Sequence, residues 1–244
     1  MTAAWRAELL KIATVRGQWL GAVLASLALP AVSLLVATTG GVSTSDTVTS
    51  GAATGSVAAL LAFGIWAATI AAGEYAQQTM VVTLATVPRR SVLYGAKLAA
   101  IGCVAAVGAL ASVVVAWLVV WAVLPAGAHH LGDPAALISV VLAIIAVAVL
   151  GMACGLITKS PAAAASIVVV AVLFPKAAGG LLGGLQRWVV GASPGTVITQ
   201  AVGGAQLPHD QMFPGGAATA TLTMLLVATA VAVGGALTLG RRDG

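Results

Sequence analysis

The sequence predicts an all-α integral membrane protein with six transmembrane helices. Three observations lead there: the scarcity of charge, the length of the apolar runs, and the uneven placement of Lys and Arg. Of 244 residues, 60% are hydrophobic and 7% are charged, whereas soluble domains carry about a quarter charged residues. So few charges cannot cover the surface of a folded soluble chain; lipid as solvent removes that demand. Aromatic residues make up only 5%, so the apolar bulk is Ala, Val, Leu and Gly. Small side chains at this density suit close helix packing in a bilayer.

A spanning helix needs about 20 mostly apolar residues. Six runs meet that need: residues 19–37, 54–72, 98–124, 135–157, 161–178 and 217–239. They lack the alternation of strands and are too long to be strands, so each reads as a helix. Together they form one transmembrane domain over residues 1–244. The basic start before residue 19 resembles a signal peptide only superficially. Its apolar run is long and further spans follow, so a retained first helix is expected.

Basic residues collect on the cytoplasmic side of multi-pass proteins. With the N-terminus inside, Arg6, Lys11, Arg16, Arg89, Arg90, Lys97, Lys159, Arg241 and Arg242 share one side, and Lys176 and Arg187 take the other. That asymmetry predicts a multi-pass protein of the cytoplasmic membrane with both termini cytoplasmic; a bacterial source is a separate expectation.

Within the first segment, Trp5, Leu9 and Ile12 fall on one helical face, and Glu8 is spaced to pair with Lys11. This predicts an interfacial helix on the inner leaflet, with Arg16 snorkelling to headgroups. Residues 73–97 form the most informative loop. Glu74 ends an apolar span, a semi-apolar stretch follows, Pro88-Arg89-Arg90 breaks it, and Lys97 opens the next span. The outer segment from Lys176 to Gly216 is rich in Gly and Pro, with Gly179-Gly180-Leu181-Leu182-Gly183-Gly184 followed by Trp188 and Pro194.

Other motifs carry less. Cys103 and Cys154 lie in apolar runs and read as packing residues, without the spacing of a metal site. Gly191-Ala192-Ser193-Pro194-Gly195 matches GxSxG, but an elbow nucleophile needs a strand before it, and no such strand is expected. His129, His130 and Asp133 read as a solvated loop, so no metal site is expected. No GxxxxGK[ST] occurs in the sequence, so no nucleotide-phosphate cradle is expected in this chain. GxxxG spacings occur at Gly17/Gly21, Gly151/Gly155 and Gly180/Gly184; the second lies within a span and is the best candidate for a close crossing. Lys176 is the one ionisable side chain placed near the interior of a span, and its position beside Pro175 favours snorkelling. No acid is placed at mid-membrane, which argues against ion-coupled secondary transport.

The pattern Gly73-Glu74-Tyr75, Thr79, Thr83, Pro88-Arg89-Arg90, Ala96-Lys97 after a second apolar span resembles the permease subunits of ABC-2-type ATP-binding-cassette exporters. Those permeases often carry Gly-Thr where this chain has Gln78-Thr79. Size, six spans, an N-terminal interfacial helix and a long outer segment before the last span extend the likeness over the whole chain. The resemblance implies a cytoplasmic coupling helix between the second and third spans, docking on a separate ATP-binding-cassette ATPase subunit. Glu74, Arg89 and Arg90 would be its charged contacts, and Tyr75, Met80, Val81 and Leu84 would lie on the same interface. Semi-apolar contacts there would supply most of the affinity. It further implies re-entrant outer helices forming a gate around Gly183, Gly184, Trp188 and Pro194. The chain itself would be no enzyme and hold no cofactor, with ATP and Mg in the partner. Two copies, or this chain and a homologous permease, would pair in membrane lipid, with no role for nucleic acid. The cargo would be amphipathic or lipophilic: a drug, a peptide antibiotic or a lipid-like compound. The alternative is a secondary transporter outside that family, or a membrane scaffold subunit.

Overall fold

The structure is a computed structural model that describes residues 2–42, 46–76, 90–124, 130–203 and 208–241. The described residues are helical, with no strand among them. The helices are α1 (Thr2–Thr14), α2 (Arg16–Thr38), α3 (Val48–Ala53), α4 (Ser56–Ala76) and α5 (Arg90–Val123), then α6 (Leu137–Thr158), α7 (Pro161–Ala177), α8 (Gln186–Val189), α9 (Pro194–Val202) and α10 (Gly216–Arg241). Among the described residues, five stretches are long and apolar enough to cross a membrane: Arg16–Thr38, Val48–Ala76, Ser91–Val123, Pro134–Thr158 and His209–Thr238. The fifth expected span, residues 161–178, forms a helix of 17 residues, shorter than the five stretches above. Pro161 starts it and the Gly179–Leu181 turn ends it, so proline and glycine chemistry set its length.

Two helices form the centre and the others surround them. About two thirds of the most apolar window of the α3–α4 span is buried (67%), and 72% of that in α6, against 22% in α2. α4 packs along α6, and α6 also touches α5, α7, α9 and α10. The outer faces stay apolar: Leu24, Leu35, Val107, Leu110, Val170, Phe174, Leu222 and Leu226 are all exposed. Water would not tolerate that much contiguous apolar surface on an isolated chain; lipid does. The chain is therefore a multi-pass membrane protein by fold and surface alike.

Small residues decide the central crossing. A side chain at Gly151 would lie 2.2 Å from the Gly64 carbonyl oxygen, and one at Gly155 would lie 2.6 Å from that of Ala68. The Gly151/Gly155 pair thus seats α6 directly on the α4 backbone, as its spacing predicts. The other two GxxxG pairs act differently. Gly21 sits under Trp66 while Gly17 faces open space, and neither Gly180 nor Gly184 has a neighbour within 4 Å.

Hydroxyls repair the breaks in the helices. Pro30 lies inside α2 and supplies no N–H to the carbonyl of Ser26. Ser112 Oγ of α5 lies 2.6 Å from that oxygen and fills the vacancy in the ladder. The α3–α4 break is held in the same way. Ser33 Oγ donates to Ala52 O at 2.9 Å and accepts from Gly55 N at 3.2 Å. Gly55 is needed there, because a Cβ would meet Leu29 O at 2.3 Å.

Candidate functional site: a buried ion quartet at the base of the 77–89 segment

Four charged side chains converge at one end of the bundle. α1 supplies Glu8 and Lys11, the last turn of α4 supplies Glu74, and α5 supplies Lys97 two turns after its start. Lys97 Nζ lies 2.8 Å from Glu8 Oε2 and 2.8 Å from Glu74 Oε1. Lys11 Nζ lies 2.7 Å from Glu8 Oε1 and 3.2 Å from Glu74 Oε1. Among the described residues, two cations and two carboxylates thus alternate around a ring. Lys97 is 1% exposed, Glu8 5% and Glu74 8%, so three members lie inside the protein, while the Lys11 side chain, 37% exposed, forms the open edge of the ring.

Charge neutrality explains why such burial is tolerated. Each ion is costly to desolvate, and removing one partner leaves the others uncompensated. Burial alone would raise the Glu8 carboxyl, but Lys97 and Lys11 outweigh it and hold the group below the usual carboxylate range. For Lys11, burial acts downward, and the carboxylates of Glu8 and Glu74 overcome it and raise the ammonium. Glu74 also sits in the last turn of α4, where the helix dipole disfavours an acid. Its position therefore depends on tertiary pairing and not on local helix preference.

The ring has a definite place in the chain. Glu74 stands just before residues 77–89 and Lys97 just after them, so their ion pair closes the base of that segment. α1 then locks onto the closed base through Glu8. The local pairing of Glu8 with Lys11 was legible from spacing. The burial of Lys97 was not: the expected span begins at residue 98, whereas α5 begins at Arg90, which carries Lys97 into the helix. Lys97 is also a correction to the reading of Lys176 as the one ionisable side chain near a span interior. The face of α1 bearing Trp5, Leu9 and Ile12 turns out to pack on protein. Ile12 is buried, and Trp5 and Leu9 lie against the core, in place of the leaflet contact expected for an interfacial helix.

The other expected residues fall as follows. Tyr75 lies beneath Lys159, whose Nζ is 5.3 Å from the ring centroid, so the short α6–α7 turn joins the same end. Arg90 begins α5. Met80, Val81, Leu84 and Arg89 lie outside the described residues. At the opposite end, Gly183 adopts φ 50°, and Trp188 meets Phe213 edge-to-face at 5.4 Å. Pro194 opens α9. Gly191, not Gly183 or Gly184, is the close-approach glycine, since a Cβ there would lie 2.7 Å from Phe213 N. Ser193 is buried with its Oγ 2.7 Å from Val190 O and 3.0 Å from Thr196 Oγ1. That hydroxyl serves the turn. An apolar cavity of about 360 Å³ lies beside it, between α6, α7 and α10.

No protein-family model matches the chain, and no curated protein matches it.

Proposed function

We propose that the chain is the transmembrane subunit of an ABC-2-type exporter, moving an amphipathic or lipophilic compound out of the cell on ATP hydrolysed by a separate subunit. The observation that carries this reading is the ion quartet. A loop that receives force from a soluble ATPase needs a base that moves as one body with the spans. The Glu74–Lys97 pair, locked by Glu8 and Lys11, is such a base for residues 77–89. Met80, Val81 and Leu84 would dock in the ATPase, with Arg89 and Arg90 at the rim setting specificity and encounter rate. Tyr75, pinned by Lys159, borders the same surface.

In this reading α7, extended by the Gly179–Leu181 turn, is the fifth of six spans. The segment through α8 and α9 is the re-entrant outer gate, with Gly183, Gly184, Trp188 and Pro194 at its bends. Both termini lie in the cytoplasm of a bacterial cell, and two permease chains pair to form the path. Glu74 becomes an internal anchor of the docking loop and not one of its exposed contacts.

The test is co-purification from native membranes. Arg89→Glu with Arg90→Glu is expected to release a P-loop ATPase while the permease keeps its thermal stability. Purification of the wild-type protein in active form with no ATPase attached would sink the proposal.

A further inference from the structure

The end of the bundle opposite the quartet holds polar groups that the helices do not use. Between α3, α4, α7 and α9 lies a cavity of about 270 Å³. It has room for about nine waters and falls short of the roughly 300–1,000 Å³ of sites for drug-sized ligands. Its occupant is therefore a small ion or a headgroup-sized group.

Three parts of the cavity wall have hydrogen-bonding capacity to spare. The first is Ser56, at the start of α4. It is 5% exposed, and its hydroxyl makes no hydrogen bond among the described residues. Its Oγ is not one of the described polar atoms sealed from solvent, and the residue lines the cavity, so an occupant can reach it. A buried hydroxyl without a partner costs about 1–3 kcal/mol, which favours a group that bonds to it.

The second is the N-terminus of α9. Ser193 does not cap the helix with its side chain. The N–H groups of Gly195 and Thr196 find no acceptor among the described residues, and both residues line the cavity. A Cβ at Gly195 would meet only Val57, at 4.0 Å, so the backbone there is open to a ligand. Free N–H groups at the positive end of a helix favour an anion. The third is Lys176, in the last turn of α7. It lines the same cavity and, unlike Lys11 and Lys97, makes no ion pair among the described residues. Among the described residues no acid lines the cavity, so its positive charge is unbalanced.

We propose that this cavity binds a phosphate group, held by Lys176, the Ser56 hydroxyl and the Gly195 and Thr196 N–H groups. A tetrahedral phosphate presents oxygens to donors on α4, α7 and α9 at once, which a planar carboxylate does not. Val57 and Leu173 line the cavity and are also exposed on the outer face, so a phospholipid can seat its phosphate there with its acyl chains outside. A soluble phosphate offers the same group, and the two arms of the test separate the sources. The inference is independent of the exporter reading, because its test needs no ATPase.

The full chain in detergent is used in both arms. Native mass spectrometry compares retention of phosphatidylglycerol with that of diacylglycerol of identical acyl chains. Equilibrium dialysis measures binding of labelled inorganic phosphate. A lipid source predicts that phosphatidylglycerol is retained about tenfold better than diacylglycerol, and a soluble source predicts bound inorganic phosphate. In the arm that binds, Ser56→Ala and Lys176→Met should each lower binding about tenfold, the worth of one hydrogen bond to a charged group. Neither should lower thermal stability, since neither side chain has a partner to lose among the described residues. Arg187→Met removes an exposed cation that does not line the cavity and should leave binding unchanged. Equal retention of the two lipids with no bound phosphate would assign the cavity to water and overturn the proposal. Binding that survives Ser56→Ala or Lys176→Met, or that falls equally in Arg187→Met, would overturn it as well.

Discussion

The two ends of the bundle are held by different physics. At one end, four ionised side chains from α1, α4 and α5 form a buried ring. At the other, neutral hydroxyls and backbone groups join the connections. Val48 N donates to His130 O at 2.8 Å, Thr49 Oγ1 donates to Leu131 O at 2.6 Å, and Thr47 caps α3. Neutral bonds of this kind are worth about 0.5–1.5 kcal/mol each and fail one at a time. In the ionic ring the three buried members, Glu8, Glu74 and Lys97, depend on one another for their burial.

The largest effect should come from opening the ring. Lys97→Met leaves the buried Glu8 and Glu74 with only the part-exposed Lys11 between them and is expected to cost about 3–5 kcal/mol, measured by denaturant unfolding in detergent. Lys97→Met combined with Glu74→Met should recover much of that loss, giving a strong coupling term in a double-mutant cycle. Additive losses would show that the two side chains do not share one site.

A smaller effect separates the ends by pH. Because Glu8 is depressed in the folded state, its contribution is present above the unfolded carboxylate value and is lost as pH falls through the folded one. Lys11 is raised, so its contribution is full below the unfolded lysine value and is lost as pH rises through the folded one. Thermal unfolding should therefore show a plateau at neutral pH with an acid and an alkaline shoulder. Glu8→Gln should remove most of the acid shoulder. Thr49→Val, at the hydroxyl end, should leave both shoulders in place.

Packing changes come next. Gly151→Ala pushes a methyl into the Gly64 carbonyl and should cost about 1–3 kcal/mol, whereas Gly180→Ala enters open space and should cost nothing measurable in the same unfolding assay. The smallest measurable loss belongs to Ser193→Ala. It removes the hydroxyl that contacts Val190 O and Thr196 Oγ1 and should cost about 1 kcal/mol in the same unfolding assay; on the exporter proposal, efflux from whole cells should be unchanged.

Much of the helical layout was legible because apolar length and helix period are one-dimensional properties. The Gly151/Gly155 crossing was legible too, since it lies wholly within one run. Gly180/Gly184 shares the spacing but meets nothing within 4 Å, because spacing does not reveal which face meets a neighbour. The ion quartet was legible only in part. Glu8 and Lys11 are three residues apart and on one helix, whereas Glu8 and Lys97 are separated by 89 positions. Hydropathy treats a lysine as the end of a span, so a lysine neutralised inside the fold is read as a boundary. The role of Ser112 was hidden for the same reason: it repairs a break caused by a proline on another helix.

The central claim is that residues 77–89 form the ATPase docking loop on a base closed by the quartet. Site-specific photocrosslinking in living cells tests it most directly, with the probe at Leu84 and a control probe at Leu110, whose side chain is exposed on the outer apolar face. The account predicts that the Leu84 probe captures a soluble chain bearing a P-loop and that the Leu110 probe captures none. Folded, membrane-inserted protein whose Leu84 probe captures no ATPase would contradict it.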